Sequence, residues 1–541
     1  MRWWGWGEDG HDPELTPGAE ALLREGLEAD LGTRRERPSL EGAALAAPRL
    51  SAAAHAALVA ASGPAALRID LETRVGHAAG RGYADLVRLR AGDFSCAPDA
   101  VLVPDGPDQI PAVLAACAEH RVAVVPFGGG TSVVGGVEPL SGPHDAVITL
   151  DLSSLDGVGE VDEVSLTATL GAGLFGPRAE AELGARNLTL GHFPQSFEYS
   201  TVGGWVATRS AGQASTGYGR IDELVEGLRL CAPAGELVLG PTPASAAGPS
   251  LLELAVGSEG ALGVITEATL RVRPAPAERI YDGWSFASFA NGCEAFRALE
   301  QRGASPDVAR LSDEEETRLS MAQAGEGRTQ RLGRAYLKAR GHERGCLAIA
   351  GYEGSSDDVS QRQKRTGALL RAAGGVSLGL RPGRSWESGR FAGPYLRDVL
   401  MDRGIMAETL ETAGSWSNLA GLREAVETAL RSTLTERGTP PLVMCHVSHL
   451  YPSGASLYFT FLARQEEGAE LEQWSAAKTA ASEAIVGAGG TITHHHAVGR
   501  DHLPWMRDEV GDLGLALLRA TKKALDPEGI MNPGKLVAAT D

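Results

Sequence analysis

Aromatic side chains make up only 5% of this 541-residue chain, and positive charge is scarce: 50 Lys and Arg face 69 Asp and Glu, a formal net charge of -19 at pH 7. Non-specific binding to nucleic acid needs a basic footprint, as does broad attraction to anionic lipid, so both are excluded as general modes. An anionic ligand has to be held by local groups. Cysteine is sparse as well. Cys96, Cys117, Cys231, Cys293, Cys346 and Cys445 include no C-x-x-C pair, which argues against a disulfide frame or a cysteine zinc site and for reduced thiols in a cytoplasm. No apolar run approaches the length of a membrane span. The opening Met1-Arg2-Trp3-Trp4-Gly5-Trp6-Gly7 resembles neither a secretory signal nor a transit peptide. These absences predict a soluble, cytoplasmic protein whose 43% hydrophobic, 22% charged composition is ordinary for a globular chain of more than one core.

Glycine, by contrast, comes in clusters. The apolar run Val122-Ala123-Val124-Val125 reads as a buried strand and leads into Pro126-Phe127-Gly128-Gly129-Gly130-Thr131-Ser132-Val133-Val134-Gly135-Gly136. Glycine lets the main chain approach a ligand closely, and successive N–H groups beside two hydroxyls make a concave set of donors for phosphate oxygens. It is not a Walker A loop, having no Lys, and not the dinucleotide fingerprint, because Val133 occupies the third glycine position. We read it as a pyrophosphate cradle, the plain alternative being a tight turn between strands.

Two further stretches share its character. Residues 191–212 concentrate Gly, Ser and Thr with little charge, fitting either a chain laid against a flat ligand or a buried loop of small residues. Residues 257–265 bring three more glycines to the start of a strand, Glu267 to Val272. Around them the pattern predicts a helical segment from Pro17 to Ala66, then strand, helix and strand from Ala100 to Val125, and further strands at 146–152 and 166–173. Short strands and helices in this order indicate an α+β fold with segregated sheets rather than a regular β/α repeat. We divide the chain into a largely helical segment at 1–93, a flavin-type domain at 94–275, an α/β cap carrying the substrate site at 276–500 and a closing segment at 501–541.

Residues 126–137, 200–212 and 257–265 together resemble the FAD-contacting stretches of the vanillyl-alcohol oxidase family, whose flavin domain is of the two-subdomain PCMH type. That resemblance implies FAD contacts from Pro126, Phe127, Gly128, Gly129, Gly130, Thr131 and Ser132, from Pro194, Ser196, Ser200, Thr201, Gly203, Gly204, Thr208, Ser210 and Ala211, and from Glu259, Gly260, Gly263, Val264 and Ile265. Members that bind the flavin covalently use a His or Cys in or near the first loop; this loop has neither, which implies non-covalent FAD.

Beyond the flavin stretches, the opening Arg2-Trp3-Trp4-Gly5-Trp6-Gly7, Pro394-Tyr395-Leu396-Arg397-Asp398, Gly454-Ala455-Ser456-Leu457-Tyr458-Phe459 and His494-His495-His496 resemble the alkyldihydroxyacetonephosphate (alkylglycerone-phosphate) synthase family. Its members exchange the acyl group of acyl-dihydroxyacetone phosphate for a long-chain alcohol, the ether-forming step of ether lipid synthesis, with no net redox change. The resemblance implies acid/base work for Tyr458, a required triplet at His494, His495 and His496, arginines near substrate at Arg397 and Arg310, a homodimer, and access to a membrane surface for long-chain substrates. Gln195 stands where that family carries an acid.

The residue chemistry allows each role and a plainer one. Proton removal beside a ketone needs a base, and a phenol serves only when cations lower its ordinary value of about 10. A strand tyrosine otherwise buries its ring in a core. Arg397 can grip a phosphate through two oxygens at once, or be a surface ion-pair partner. Were the triplet on a strand, His494 and His496 would face one way and share a metal with Asp501 or His502; proton transfer is the preferred reading, with no metal. The closing Asp526-Pro527-Glu528-Gly529-Ile530-Met531-Asn532-Pro533-Gly534-Lys535 resembles that of flavin 2-hydroxy-acid oxidoreductases, so a D-lactate- or glycolate-type dehydrogenase or oxidase is the rival activity, and a flavin-binding scaffold the non-enzymatic one.

Overall fold

The computed structural model describes residues 1–32, 34–324 and 328–537, the side chains of 328–331 excepted. Strands β1 (Leu67–Arg68), β2 (Ala100–Leu102), β3 (Val122–Phe127) and β4 (Ala146–Asp151) form one sheet in the order β1-β2-β4-β3. The helix Ile110–Glu119 carries the chain back between β2 and β3, so that β2, β4 and β3 run parallel. Val122 to Val125 are fully buried, as a strand covered on both faces requires. Where β3 ends at Phe127 the first glycine loop begins.

A second, antiparallel sheet holds β5 (Val158–Asp162) and β6 (Thr167–Gly171); a small ladder beside it joins β7 (Leu188–Thr189) to a later strand. With β8 (Val225–Ala232), β9 (Gly235–Leu239) and β10 (Val264–Arg271) its order is β5-β6-β10-β8-β9, and β7 pairs with β11 (Arg273–Pro274). The largest sheet contains β12 (Glu278–Phe286), β13 (Val308–Ser312), β14 (Cys346–Gly354), β15 (Val376–Gly379), β16 (Ile405–Ser415), β17 (Leu442–Val447), β18 (Leu450–Tyr451) and β19 (Gly454–Arg464). Its order is β15-β12-β14-β13-β17-β19-β16, with β18 on β19. One parallel-cored sheet and three antiparallel ones, the two-stranded ladder included, make the fold α+β, as the sequence predicts.

Alternation along β19 fixes which face is which. Leu457, Phe459 and Phe461 are fully buried in a core shared with Leu422, Val426 and Leu430 of the helix Leu419–Glu436 and with Ala477 and Ala481 of the helix Glu470–Gly487. Tyr458 and Thr460, on the opposite face, are only partly buried.

The helix expected from Pro17 to Ala66 forms only at its ends, Pro17–Leu27 and Ala52–Ser62, each capped by a hydroxyl, Thr16 and Ser51, that accepts an amide from the first turn. Between them no helix occurs among the described residues. Pro38 and Pro48 supply no amide, and the arginines of this stretch are committed to tertiary partners, Arg37 to Asp402 and Arg49 to Asp99.

Candidate active site

The three glycine-rich stretches meet in space. A Cβ on Gly128 or Gly129 would overlap the Thr201 hydroxyl or the Tyr199 carbonyl of the second stretch, and one on Gly260 of the third would lie 2.9 Å from the Pro126 ring. Small size at these positions serves the packing of loop on loop. The Ser132 hydroxyl accepts the Gly136 amide at 2.9 Å and folds the first loop back on itself. The amides of residues 128–132 donate to no protein acceptor among the described residues. Five consecutive donors without a protein partner are what an anion needs, so the loop fits the diphosphate of a dinucleotide.

In the second stretch the hydroxyls are committed within the protein: Ser200 accepts the Trp205 indole N–H at 2.7 Å, Thr208 donates to the Gly204 carbonyl, and Ser210 bonds the buried His192 at 2.7 Å. Pro194 and Ser196 accept the turn amides of Phe197 and Ser200 through their carbonyls, and Thr201 accepts the Gly204 amide. Gly203 packs on Ala172, and Ala211 is buried. In the third, Glu259 turns its carboxylate onto the amides of Val498 and Gly499, at 2.9 and 2.6 Å. It ties the loop after the histidine triplet to the start of β10, where Gly263, Val264 and Ile265 sit buried against β8.

Strand register builds the second half of the site. Tyr458 on β19 is directly paired with Glu411 on β16 and with His446 on β17, and His446 pairs with Ser312 on β13. Cross-strand neighbours share a face, so Tyr458 stacks on His446 with ring centres 4.9 Å apart. His446 is in turn bracketed by Arg310 at 3.1 Å and Glu316 at 3.2 Å. Glu411, wholly buried, accepts the main-chain amides of His494, His495 and His496 and the Thr493 hydroxyl. The triplet is thus a loop wrapped around a carboxylate, and the strand alternation expected of it does not occur. The wrapping brings His495 and His496 within 5.9 and 5.5 Å of the Tyr458 ring. The Tyr451 hydroxyl meets His494 at 2.6 Å, and His449 stacks on His494 at 5.1 Å.

Burial keeps His494, His495 and His496 neutral at pH 7, pushing His496 down to about 3 despite the attraction of Glu411. Burial alone would raise Glu411, but the three imidazoles and the amides hold it well below the carboxylate range. Tyr458 goes the other way. Burial, helped by Glu411 and Glu408 and opposed by a Thr409 hydrogen bond and Arg310, pushes it up to about 12. The hydrogen bond and the nearby arginine do pull this phenol down, but burial outweighs them, so it keeps its proton at neutral pH.

Arg397 lies on the helix Gly393–Met401 and donates one N–H to the Arg81 carbonyl, while its Nε and second Nη are buried without a hydrogen-bond partner. Arg310 differs, its second Nη held by Glu316. Gln195 is exposed and donates to the Arg390 carbonyl at 2.9 Å, so the missing acid belongs to the surface. Among the described residues the ring nitrogens that gather within 4.8 Å of one another are those of His449, His494 and His495, rather than His494 and His496 with Asp501 or His502. The Nδ1 atoms of His494 and His495 are 2.8 Å apart, a shared-proton separation, whereas two nitrogens on one tetrahedral zinc keep about 3.3 Å. Sequence reasoning missed Glu411, His446 and His449. An acid in the apolar strand Ile405–Ser415 was the available signal for the first, and the paired histidines at 446 and 449 for the others.

Known proteins are similar to this chain along most of its length. The family described as "FAD binding domain" matches residues 98–239, and "FAD linked oxidases, C-terminal domain" matches 275–536. Alkyldihydroxyacetonephosphate synthase of Trypanosoma brucei brucei is 34% identical over 482 residues, covering 87% of this chain and 78% of that protein. The chain belongs to the alkyldihydroxyacetonephosphate synthase family. The synthase of Dictyostelium discoideum is 33% identical over 88% of this chain and 79% of its own length. A solved alkyldihydroxyacetonephosphate synthase structure superposes with a TM-score of 0.86 at 28% identity, covering 99% of both chains. The protein is therefore an FAD-linked enzyme of the synthase family, with the two-subdomain PCMH-type flavin domain and α/β cap.

Proposed function

We propose that this synthase-family protein exchanges the acyl group of acyl-dihydroxyacetone phosphate for a long-chain alcohol, without net redox. The observation that carries the reading is the Tyr458 phenol, on the face of β19 away from the apolar core, set among the neutral imidazoles of His446, His495 and His496; Arg397 adds a guanidinium with unspent donors. Bound FAD supplies a nucleophilic ring nitrogen. Protein groups supply the rest. Protonated Tyr458 donates a hydrogen bond to the carboxylate that departs as the carbon–oxygen bond breaks. The neutral His495 imidazole takes the proton from the substrate carbon and returns it once the alcohol has added, the alcohol's own proton leaving with the fatty acid, and Arg397 offers Nε and Nη to the phosphate. Arg310 acts through His446, which it holds together with Glu316.

FAD is held non-covalently in this reading. The histidine beside the first loop, His77, with its ring 4.5 Å from Phe127, has both nitrogens bonded, to the Thr73 carbonyl at 2.8 Å and to Asp151 at 3.1 Å. A cytoplasmic homodimer that touches a membrane surface to receive its lipids completes the proposal; among the described residues no helix is long and apolar enough to cross one.

Purified holoprotein incubated with acyl-dihydroxyacetone phosphate and labelled hexadecanol should release fatty acid and form alkyl product while the flavin spectrum is unchanged at the end of the reaction. No alkyl product, together with anaerobic bleaching of the flavin by D-lactate or glycolate, would hand the site to a 2-hydroxy-acid dehydrogenase.

A further inference from the structure

The Arg-Trp-Trp-Gly-Trp-Gly opening has no part in the chemistry above, yet it lies against the machinery. Its loop closes on itself through the Arg2 amide and the Gly7 carbonyl at 2.8 Å. The Trp4 ring is surrounded by the guanidinium groups of Arg2, Arg37 and Arg90 at 4.9, 5.1 and 5.2 Å. Trp6 is buried with its ring edge on Tyr199, in the second flavin stretch, at 5.6 Å. Two contacts go further. The Arg2 carbonyl accepts Arg81 Nη2 at 3.0 Å, and the main chain of Arg81 bonds both Ser132 of the diphosphate loop and Arg397. The Trp6 amide donates to Oδ2 of Asp398, the residue next to Arg397.

Asp398 is 1% exposed, and its other oxygen, Oδ1, has no hydrogen-bond partner; it lies 3.5 Å from Arg90 Nη2 and 3.8 Å from Arg397 Nε. The carboxylate stops just short of closing on the guanidinium. The Trp6 amide on one oxygen and Arg90 beside the other hold it there, and there is no slack: a Cβ on Gly5 would overlap the carboxylate, and one on Gly7, where φ is +74, would overlap the Tyr395 ring.

We propose that residues 2–7 are a positioning strap that keeps Asp398 off Arg397, leaving Nε and the second Nη of Arg397 free for the substrate phosphate. Gly5 and Trp6 are positioning residues and touch no substrate. Without the strap, Asp398 swings onto the guanidinium as an intramolecular rival of the phosphate, and binding weakens while chemistry on bound substrate is preserved. This rests on the assignment of Arg397 to the phosphate, and the test separates the two.

Gly5→Ala, which displaces the carboxylate, should raise KM for acyl-dihydroxyacetone phosphate about tenfold or more, with kcat and bound FAD within twofold of the parent protein; turnover of the phosphate-free acyl-dihydroxyacetone should be unaffected. Adding Asp398→Asn, which cannot neutralise the arginine, should bring KM back toward the starting value. A double variant worse than Gly5→Ala alone would overturn the strap, because a purely structural contact is not repaired by removing a charge. Should Gly5→Ala fold poorly, Asp398→Asn alone decides: KM equal to or below the parent value supports competition, and a raised KM overturns it. Arg397→Lys controls the premise. If it leaves KM unchanged, the phosphate assignment falls and the strap proposal with it; if it raises KM while Gly5→Ala does not, only the strap falls.

Discussion

A phenol held near pKa 12 is a poor base and a good hydrogen-bond donor, so in the proposed exchange Tyr458 contributes its proton. Tyr458→Phe keeps the ring on His446 and removes only the hydroxyl. It should lower kcat/KM by roughly 10²- to 10⁴-fold, the usual worth of a positioned acid or base, while the yellow flavin spectrum is retained; undiminished turnover removes Tyr458 from the mechanism. The pH profile carries the same signature, with no basic limb attributable to Tyr458 below about pH 11. Glu411 works at one remove. By collecting three successive amides and a hydroxyl it forces adjacent histidines to fan out around one point. Neither role was legible from residue types alone: Tyr458 was visible through its sequence neighbours, but the burial that sets its proton affinity is a property of the sheet.

Loops that touch other loops are the sensitive elements. Gly129→Ala places a methyl against the Tyr199 carbonyl, and because main chain cannot yield as a flexible side chain does, the first loop must move off its donor geometry. Overpacking of this kind costs about 1–3 kcal/mol, so FAD affinity should fall roughly 5- to 150-fold, read by flavin fluorescence on dilution; unchanged affinity would show that the amides of 128–132 do not carry the diphosphate. The tie from Glu259 to Val498 and Gly499 is sensitive to pH instead. Burial outweighs the two amides and Lys535 and pushes Glu259 up to about 7. A folded value above the ordinary one of about 4.3 means that the group's stabilising contribution is complete at low pH and is lost as pH rises through about 7. Glu259→Gln, free of that penalty, should be more stable than the parent at pH 8 by about 3 kcal/mol, the gap closing near pH 4.5; a gap that does not change with pH in thermal melts would refute it.

The strands and the α+β class were readable in advance because apolar runs and glycine stops are local signals, as the run of Val122 to Val125 into β3 shows. What was not readable depends on partners distant in sequence. The extended passage between Pro17–Leu27 and Ala52–Ser62 is rich in helix formers, yet its arginines are drawn to Asp99 and Asp402. The histidine triplet looks like a strand from its neighbours and is bent by a carboxylate more than eighty residues away. That the three glycine-rich stretches form loops was legible because such loops need only glycine and a turn, whereas a side-chain cluster needs the sheet register that places β16, β17 and β19 side by side.

At the scale of the whole molecule, the net charge of -19 opposes both FAD and the phosphate ester proposed as substrate, since both are anions. Approach is then repelled at long range and rewarded only at contact, where Arg397 and the loop amides act over a few ångströms. Salt separates the two ranges. The Debye length shrinks from about 30 Å at 0.01 M to about 8 Å at 0.15 M, which screens the repulsion of the body while leaving partly buried contacts nearly intact. Hence kcat/KM for the phosphate-bearing substrate should rise several-fold between those ionic strengths and flatten beyond them, the reverse of the fall seen where a binding cleft attracts its substrate from a distance. A monotonic fall would mean that the arginines around the cradle, few as they are, project a field that outweighs the acidic surface, and the local-capture picture of this enzyme would have to give way to one of steering.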